Sequence, residues 1–255
     1  MHFFNTLLML LLFSAVNECK QSTTSRIQII EPSIEQEATS IWRTINDITF
    51  LESQGYTIHL PDDPLIDNLI NKSKEGNFGN DDYAEIYRLL EAKIYDRSKY
   101  KNAIQKVEGQ LALLNRMMDK VEVKLSGWNW NFKTFDQYKI QFTLYGTGGS
   151  YDPDEGVITL WTNQQGEFMN YNNPANTIIH EITHIGMEES LVHKYDLPHG
   201  LKERTVDRFV YLLFKEDLPE YRIQEMGDAR LDELLNDKEA IKHIDEILLE
   251  ILDEQ

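Results

Sequence analysis

The chain has 255 residues, a formal net charge of −18 and a single cysteine. That length buries a substantial core in one large domain or two small ones, and four Trp, twelve Tyr and eleven Phe argue against a disordered chain. So negative a field repels phosphate backbones and anionic membrane surfaces, which argues against a nucleic-acid partner; the acidity reads as solubility or as attraction for basic peptides.

Residues 7–16 form an apolar run too short to span a bilayer but suited to the apolar region of a secretory signal. Residues 1–19 are therefore expected to be a signal segment and the protein exported, to a periplasm, a cell envelope or the medium. No Lys or Arg precedes the run, so a buried N-terminal helix or strand is the other reading. Cys19, being alone, allows no intramolecular disulfide. Its position resembles that of the lipid-modified cysteine of bacterial lipoproteins, although Glu18 stands where a small residue is expected. Such an anchor is the one membrane association expected.

A polar linker, residues 20–25, leads into a helical N-terminal region over 26–126. Ser33 and Gln36 make a capping box, Ile34, Ala38, Ile41, Ile45 and Ile48 follow at helical spacing, and Gly55 ends the element. Asp63 and Pro64 open a second helix that stops near Gly76. Asp81 opens a third around Tyr83, Ile86, Tyr87 and Leu90. Ile104, Val107, Leu111, Leu114 and Met118 mark a fourth. No chemistry is legible in this half.

The pattern changes at Gly127, where a second region, 127–255, begins. Tyr138, Ile140, Phe142 and Leu144 alternate with Lys139, Gln141 and Thr143, which predicts a strand with two unlike faces. Residues 146–149 and 152–156 read as a loop, and 157–161 as a second strand. From Pro174 the chain reads as helical to its end, with breaks near Pro198, Pro219 and Gly227. The acidic C-terminal stretch carries Leu231, Leu234, Ile241, Ile244, Leu248 and Ile251 at helical spacing and reads as a packed amphipathic helix pair. The expected fold class is α+β: a helical N-terminal half, a small sheet with an antiparallel edge, two site-bearing helices and a helical C-terminus.

The chemistry is concentrated in His180-Glu181-Ile182-Thr183-His184, an H-E-x-x-H motif. Asn173 caps and Pro174 starts the helix that holds it. Histidines four apart project from one helix face and can share a Zn²⁺, while Glu181 sits beside them as a general base rather than a ligand. A third ligand must come from elsewhere. Glu188 lies about 12 Å along the axis from His180 and is too far, and His193 would face the other way. Glu203, on the next helix, is the expected third metal ligand. Asp207, four residues on, is expected to accept the free N–H of a zinc-bound histidine. The other reading places Glu203 and Asp207 on a solvated charged face with Lys202, Arg204 and Arg208.

This arrangement resembles the gluzincin group of zinc metallopeptidases, the thermolysin-like enzymes and zinc aminopeptidases, which carry H-E-x-x-H on one helix and a ligand Glu on the next. The resemblance covers roughly residues 138–214, and no G-x-M-E-N motif is present. It implies an enzyme that hydrolyses peptide bonds with a zinc-activated water and Glu181 as general base, with a peptide or protein as substrate. It also implies a strand ahead of the first helix lining the substrate cleft, a place that residues 157–161 fit. Tyr221, Tyr211, His199 and His193 are candidates by residue type for stabilising the tetrahedral oxyanion. The alternatives are a non-catalytic exported binding or inhibitory module with a structural metal site, and a zinc hydrolase of cell-wall peptides.

Overall fold

Tyr138, Ile140 and Phe142 turn one face of their strand inward, and this apolar row is the centre of the structure. In the computed structural model, which describes residues 25–253, the row belongs to β2 (Tyr138–Thr143). The apolar run over 7–16 and Cys19 lie outside the described residues. The sheet has four strands: β1 (Ile27–Ile29), β2, β3 (Gly149–Asp152) and β4 (Val157–Trp161), in the order β1-β2-β4-β3. β1, β2 and β4 run parallel, with Ile140 opposite Ile158, and β3 pairs antiparallel with β4, with Gly149 opposite Leu160. The expected α+β class with an antiparallel edge is what the structure shows.

Two strands differ from expectation. β1 lies in the region expected to be helical, yet residues 27–29 pair with β2, because three residues suffice when a neighbouring strand supplies every partner. The stretch expected to be a loop over 146–156 contains β3, so it is a β-hairpin. Its glycines mask the strand, since strand reading relies on side-chain alternation.

The helices largely follow their sequence signals. α1 (Ile34–Asn46) starts at Ser33, whose hydroxyl accepts from Gln36 N–H while the Gln36 side chain accepts from Ser33 N–H. After α2 (Ile48–Ser53), α3 (Pro64–Lys74) begins at Asp63, which caps Leu65 N–H. α4 (Tyr83–Leu89) continues into a wider π-type turn. The predicted fourth helix is two, α5 (Lys101–Glu108) and α6 (Leu111–Leu125), broken at Gly109 and Gln110. Helical spacing survived the break, which is why periodicity alone joined them.

Two apolar clusters organise these pieces. Ala38, Ile41, Ile45, Ile66, Leu69 and Ile86 hold α1, α3 and α4 together. A larger cluster joins α5, α6, the sheet and every helix after it. The C-terminal stretch packs as α9 (Arg230–Leu234) and α10 (Ile244–Asp253), with Leu231, Leu248 and Ile251 buried. Among the described residues no helix is long and apolar enough to cross a membrane.

α7 (Ala175–Met187) lies against β3 and β4, and α8 (His199–Phe214) packs beside it. Between them the chain makes a π-type turn over Glu188–His193 and reverses at Asp196, whose φ of 48° is in the left-handed region that Asp tolerates. That reversal brings the two helices together as neighbours.

Candidate metal centre

Asn173 accepts from Ala175 N–H at 2.9 Å and so begins α7 where the sequence placed its start. Ile178, Ile182 and Ile185 are fully buried on one face, which turns His180, Glu181 and His184 toward α8 and β3. From α8, Glu203 meets them. The Nε2 atoms of His180 and His184 are 3.1 Å apart, and Glu203 Oε2 lies 3.4 and 3.3 Å from them. The three form a cluster able to hold a metal ion, with one ligand atom of each within 4.8 Å of the others.

The orientation of His180 is fixed from behind. Its Nδ1 lies 2.7 Å from the Tyr221 hydroxyl, and that hydroxyl donates to Asp207 Oδ1 at 2.6 Å. Because the phenolic proton goes to Asp207, the imidazole Nδ1–H donates to the tyrosine oxygen, and Nε2 is left to face the cluster. Asp207 Oδ1 is also 3.3 Å from His180 Nδ1, and its second oxygen accepts from Gln224 N–H at 2.7 Å. His184 is held differently. Its Nδ1 is buried with no hydrogen-bond partner, and its ring stacks on Tyr151 at 4.9 Å between centroids. Packing, rather than a hydrogen bond, sets its angle.

Three acceptor atoms this close repel one another unless positive charge sits among them. The titration of the chain reflects that demand. Burial opposes protonation of His180, but Asp207 and Glu203 prevail and push it up to about 10. Burial also opposes ionisation of Glu203, yet the two imidazoles hold its carboxyl far below the usual range. Burial pushes His184 down to about 4. The arrangement therefore gathers one negative carboxylate and two nitrogen ligands where a cation is favoured.

Glu181 sits beside the cluster without joining it. Burial pushes its carboxyl up to about 7, against the pull of His180 and with the repulsion of Glu203. Its neighbour on the sheet is Gly149: a β-carbon there would stand 2.2 Å from Glu181 Oε1 and 2.7 Å from Thr177 Cγ2. The absent side chain is what lets the carboxylate and the strand share this space.

The solvated-face reading of α8 does not hold. Glu203 is 9% and Asp207 1% exposed, and Arg204 and Arg208 turn away to pair with Asp232. Glu188 is engaged elsewhere, accepting from the Tyr151 hydroxyl at 2.6 Å, and His193 pairs with Glu188 and Glu189. The cleft strand is also corrected: residues 157–161 lie between β2 and β3, and the strand bordering the site is β3. Of the four residues considered for oxyanion stabilisation, Tyr221 is committed to His180 and Asp207. Neither Tyr211 nor His193 lines the site, whereas His199 does. Sequence reasoning missed Gly149, Tyr151 and Tyr56. None is near the motif in the chain, and only the doubled glycine at 148–149 hinted at a close approach.

The cluster opens into a cavity of about 820 Å³ between α7, α8, β3 and α2. A second cavity of about 630 Å³ adjoins it along residues 147–151, beneath α1. Comparison of the chain with protein-family models, with curated proteins and with solved structures finds no match.

Proposed function

We propose that the protein is an exported zinc peptidase that hydrolyses peptide bonds with Glu181 as general base. The observation that carries this reading is the convergence of His180 Nε2, His184 Nε2 and Glu203 Oε2 at 3.1–3.4 Å from one another on the wall of an open cavity. In a tetrahedral zinc site, arms of about 2.0–2.1 Å set ligand atoms about 3.3–3.4 Å apart. Two nitrogens and a carboxylate are a catalytic ligand set of that metal, with a position left for water. Export rests on the apolar run over 7–16.

When bound, zinc acidifies a water and polarises a carbonyl. The residues of the chain do the rest. Asp207, through Tyr221, keeps the proton of His180 on Nδ1 and its Nε2 free. Glu181 takes the proton released as water oxygen bonds to the carbonyl carbon, then delivers it to the nitrogen as the carbon–nitrogen bond breaks.

β3 supplies a means to hold an extended substrate. Gly148 C=O accepts from Trp161 N–H at 2.9 Å, so the antiparallel alternation turns the backbone groups of Ser150 and Asp152 toward β4. Those of Gly149 and Tyr151 then face outward, beside Glu181 and His184, where a peptide strand can pair with them.

The test uses the full chain. Metal analysis after purification should find one zinc per chain, and a mixed-sequence quenched fluorescent peptide library should be cleaved, with activity lost to a chelator and restored by zinc. A protein that takes up no zinc, or one that binds it and cleaves nothing, refutes the reading.

A further inference from the structure

The helical N-terminal half contributes to the cluster's cavity Arg43 from α1, Phe50 and Leu51 from α2, and Tyr56 from the turn after α2. Gly55, at φ 74°, ends that helix: its N–H bonds Glu52 C=O, and Tyr56 N–H bonds back to Leu51 C=O, both at 3.1 Å. The backbone then pairs with the sheet hairpin, His59 and Gly146 exchanging N–H···O=C bonds of 2.9 and 2.8 Å. Held at both ends, Tyr56 lines the cavity that His180, His184 and Glu203 also line. Its hydroxyl lies 3.0 Å from His199 Nε2. The other ring nitrogen of His199 is 3.8 Å from Glu203 Oε1, the carboxylate oxygen turned away from the two imidazoles. The Phe50 ring packs edge-on against the same imidazole at 5.9 Å, fixing its plane.

We propose that Tyr56 is a catalytic residue, the hydrogen-bond donor that stabilises the negative oxygen formed as water adds to the substrate carbonyl, with His199 as its positioning residue. The assignment rests on the peptidase reading and adds to it a group from outside the site-bearing helices. The other phenols near the cluster are spent: Tyr221 donates to Asp207, Tyr151 donates to Glu188, and Tyr171 donates to the Arg222 backbone. The Tyr56 hydroxyl donates to no carboxylate or backbone carbonyl among the described residues; its partner is His199, an imidazole at the cavity wall that can exchange donor and acceptor roles. A donor already anchored at its far side costs little reorganisation when charge develops, which is what makes such groups effective.

The experiment compares wild type with Tyr56→Phe and, as a second variant, His199→Ala, on a peptide that wild type cleaves. Zinc stoichiometry, thermal midpoint and affinity for a phosphonamidate analogue of that peptide are measured beside kcat and KM. Tyr56→Phe should lower kcat about 10²–10³-fold, weaken the phosphonamidate in parallel, and leave KM, zinc and thermal midpoint unchanged. His199→Ala should lower kcat in the same direction. An active wild type with an equally active Tyr56→Phe overturns this assignment and leaves the peptidase reading standing. A Tyr56→Phe protein that loses zinc or thermal stability shows a structural role and overturns it too. A wild type that binds zinc and cleaves nothing overturns both.

Discussion

The Gly149 α-carbon faces the Glu181 carboxylate so closely that a methyl group there would fall 2.2 Å from Oε1. Two side chains are in the way, the end of Glu181 and, at 2.7 Å, the β-branched Thr177 Cγ2. The carboxylate is the freer to move, so Gly149→Ala is expected to displace Glu181 and to lower the melting temperature somewhat through Thr177. A misplacement of this kind costs on the order of 10²-fold in rate. Steady-state kinetics beside a melting curve check it. A fully active alanine variant would show that the carboxylate's place is not set by β3.

Gly186 makes the opposite case. A β-carbon there would lie 2.1 Å from Phe132 Cζ, and that ring is boxed in by Trp128, Trp130 and Phe209. It has no room to move, so Gly186→Ala should destabilise by about 1–3 kcal/mol through overpacking. Chemical denaturation measures this directly, and a neutral result would mean that the aromatic cluster is looser than its contacts imply.

Replacing Glu181, the proposed general base, separates binding from chemistry. Glu181→Gln removes the proton acceptor but no ligand atom, so the variant should hold zinc as wild type does and turn over no substrate. Turnover by this variant would refute the role of Glu181.

The Tyr221–Asp207 relay predicts a graded loss of metal. Asp207→Asn should weaken zinc binding about 10–100-fold, the usual cost of disturbing a ligand's outer partner. Tyr221→Phe should cost less, because Asp207 Oδ1, already 3.3 Å from His180 Nδ1, can accept that N–H itself. Competition with a chelating dye gives both affinities. Equal affinities for wild type and Asp207→Asn would leave the relay without a function.

Glu37 predicts a pH dependence of stability far from the metal. Burial pushes its carboxyl up, although Thr143, Tyr100 and the Leu144 N–H all donate to it and Lys99 attracts it. For an acid raised in the folded state, the stabilising contribution is whole below the unfolded value of 4.5 and is lost as pH rises through the folded value. Wild-type stability should therefore fall as pH climbs from about 4.5, relative to Glu37→Gln, which cannot ionise. Denaturation at several pH values reads the difference. Parallel curves would show that Glu37 titrates alike in both states.

The pair His180 and His184 is legible in the chain because four-residue spacing on a helix is a local fact. The same holds for the Ser33 cap, the Asp63–Pro64 start and the inward row of β2. Each depends on neighbours within a turn or a pleat, and such relationships survive without knowledge of the rest of the molecule. Glu203 and Asp207 are legible as a pair for the same reason, but their distance from the histidines is not. It depends on the reversal at Asp196, and only the folded chain shows them buried rather than solvated.

What remained hidden belongs to contacts between distant segments. β1 exists because β2 offers it partners more than a hundred residues away, and β3 because a hairpin needs backbone rather than side chains. Tyr221 and Tyr56 reach one imidazole each from opposite ends of the chain, at 2.7 and 3.0 Å. Local spacing can say which atoms a helix presents; what those atoms meet is decided by packing, because hydrogen bonds and close approaches depend on position in space and not on order along the chain.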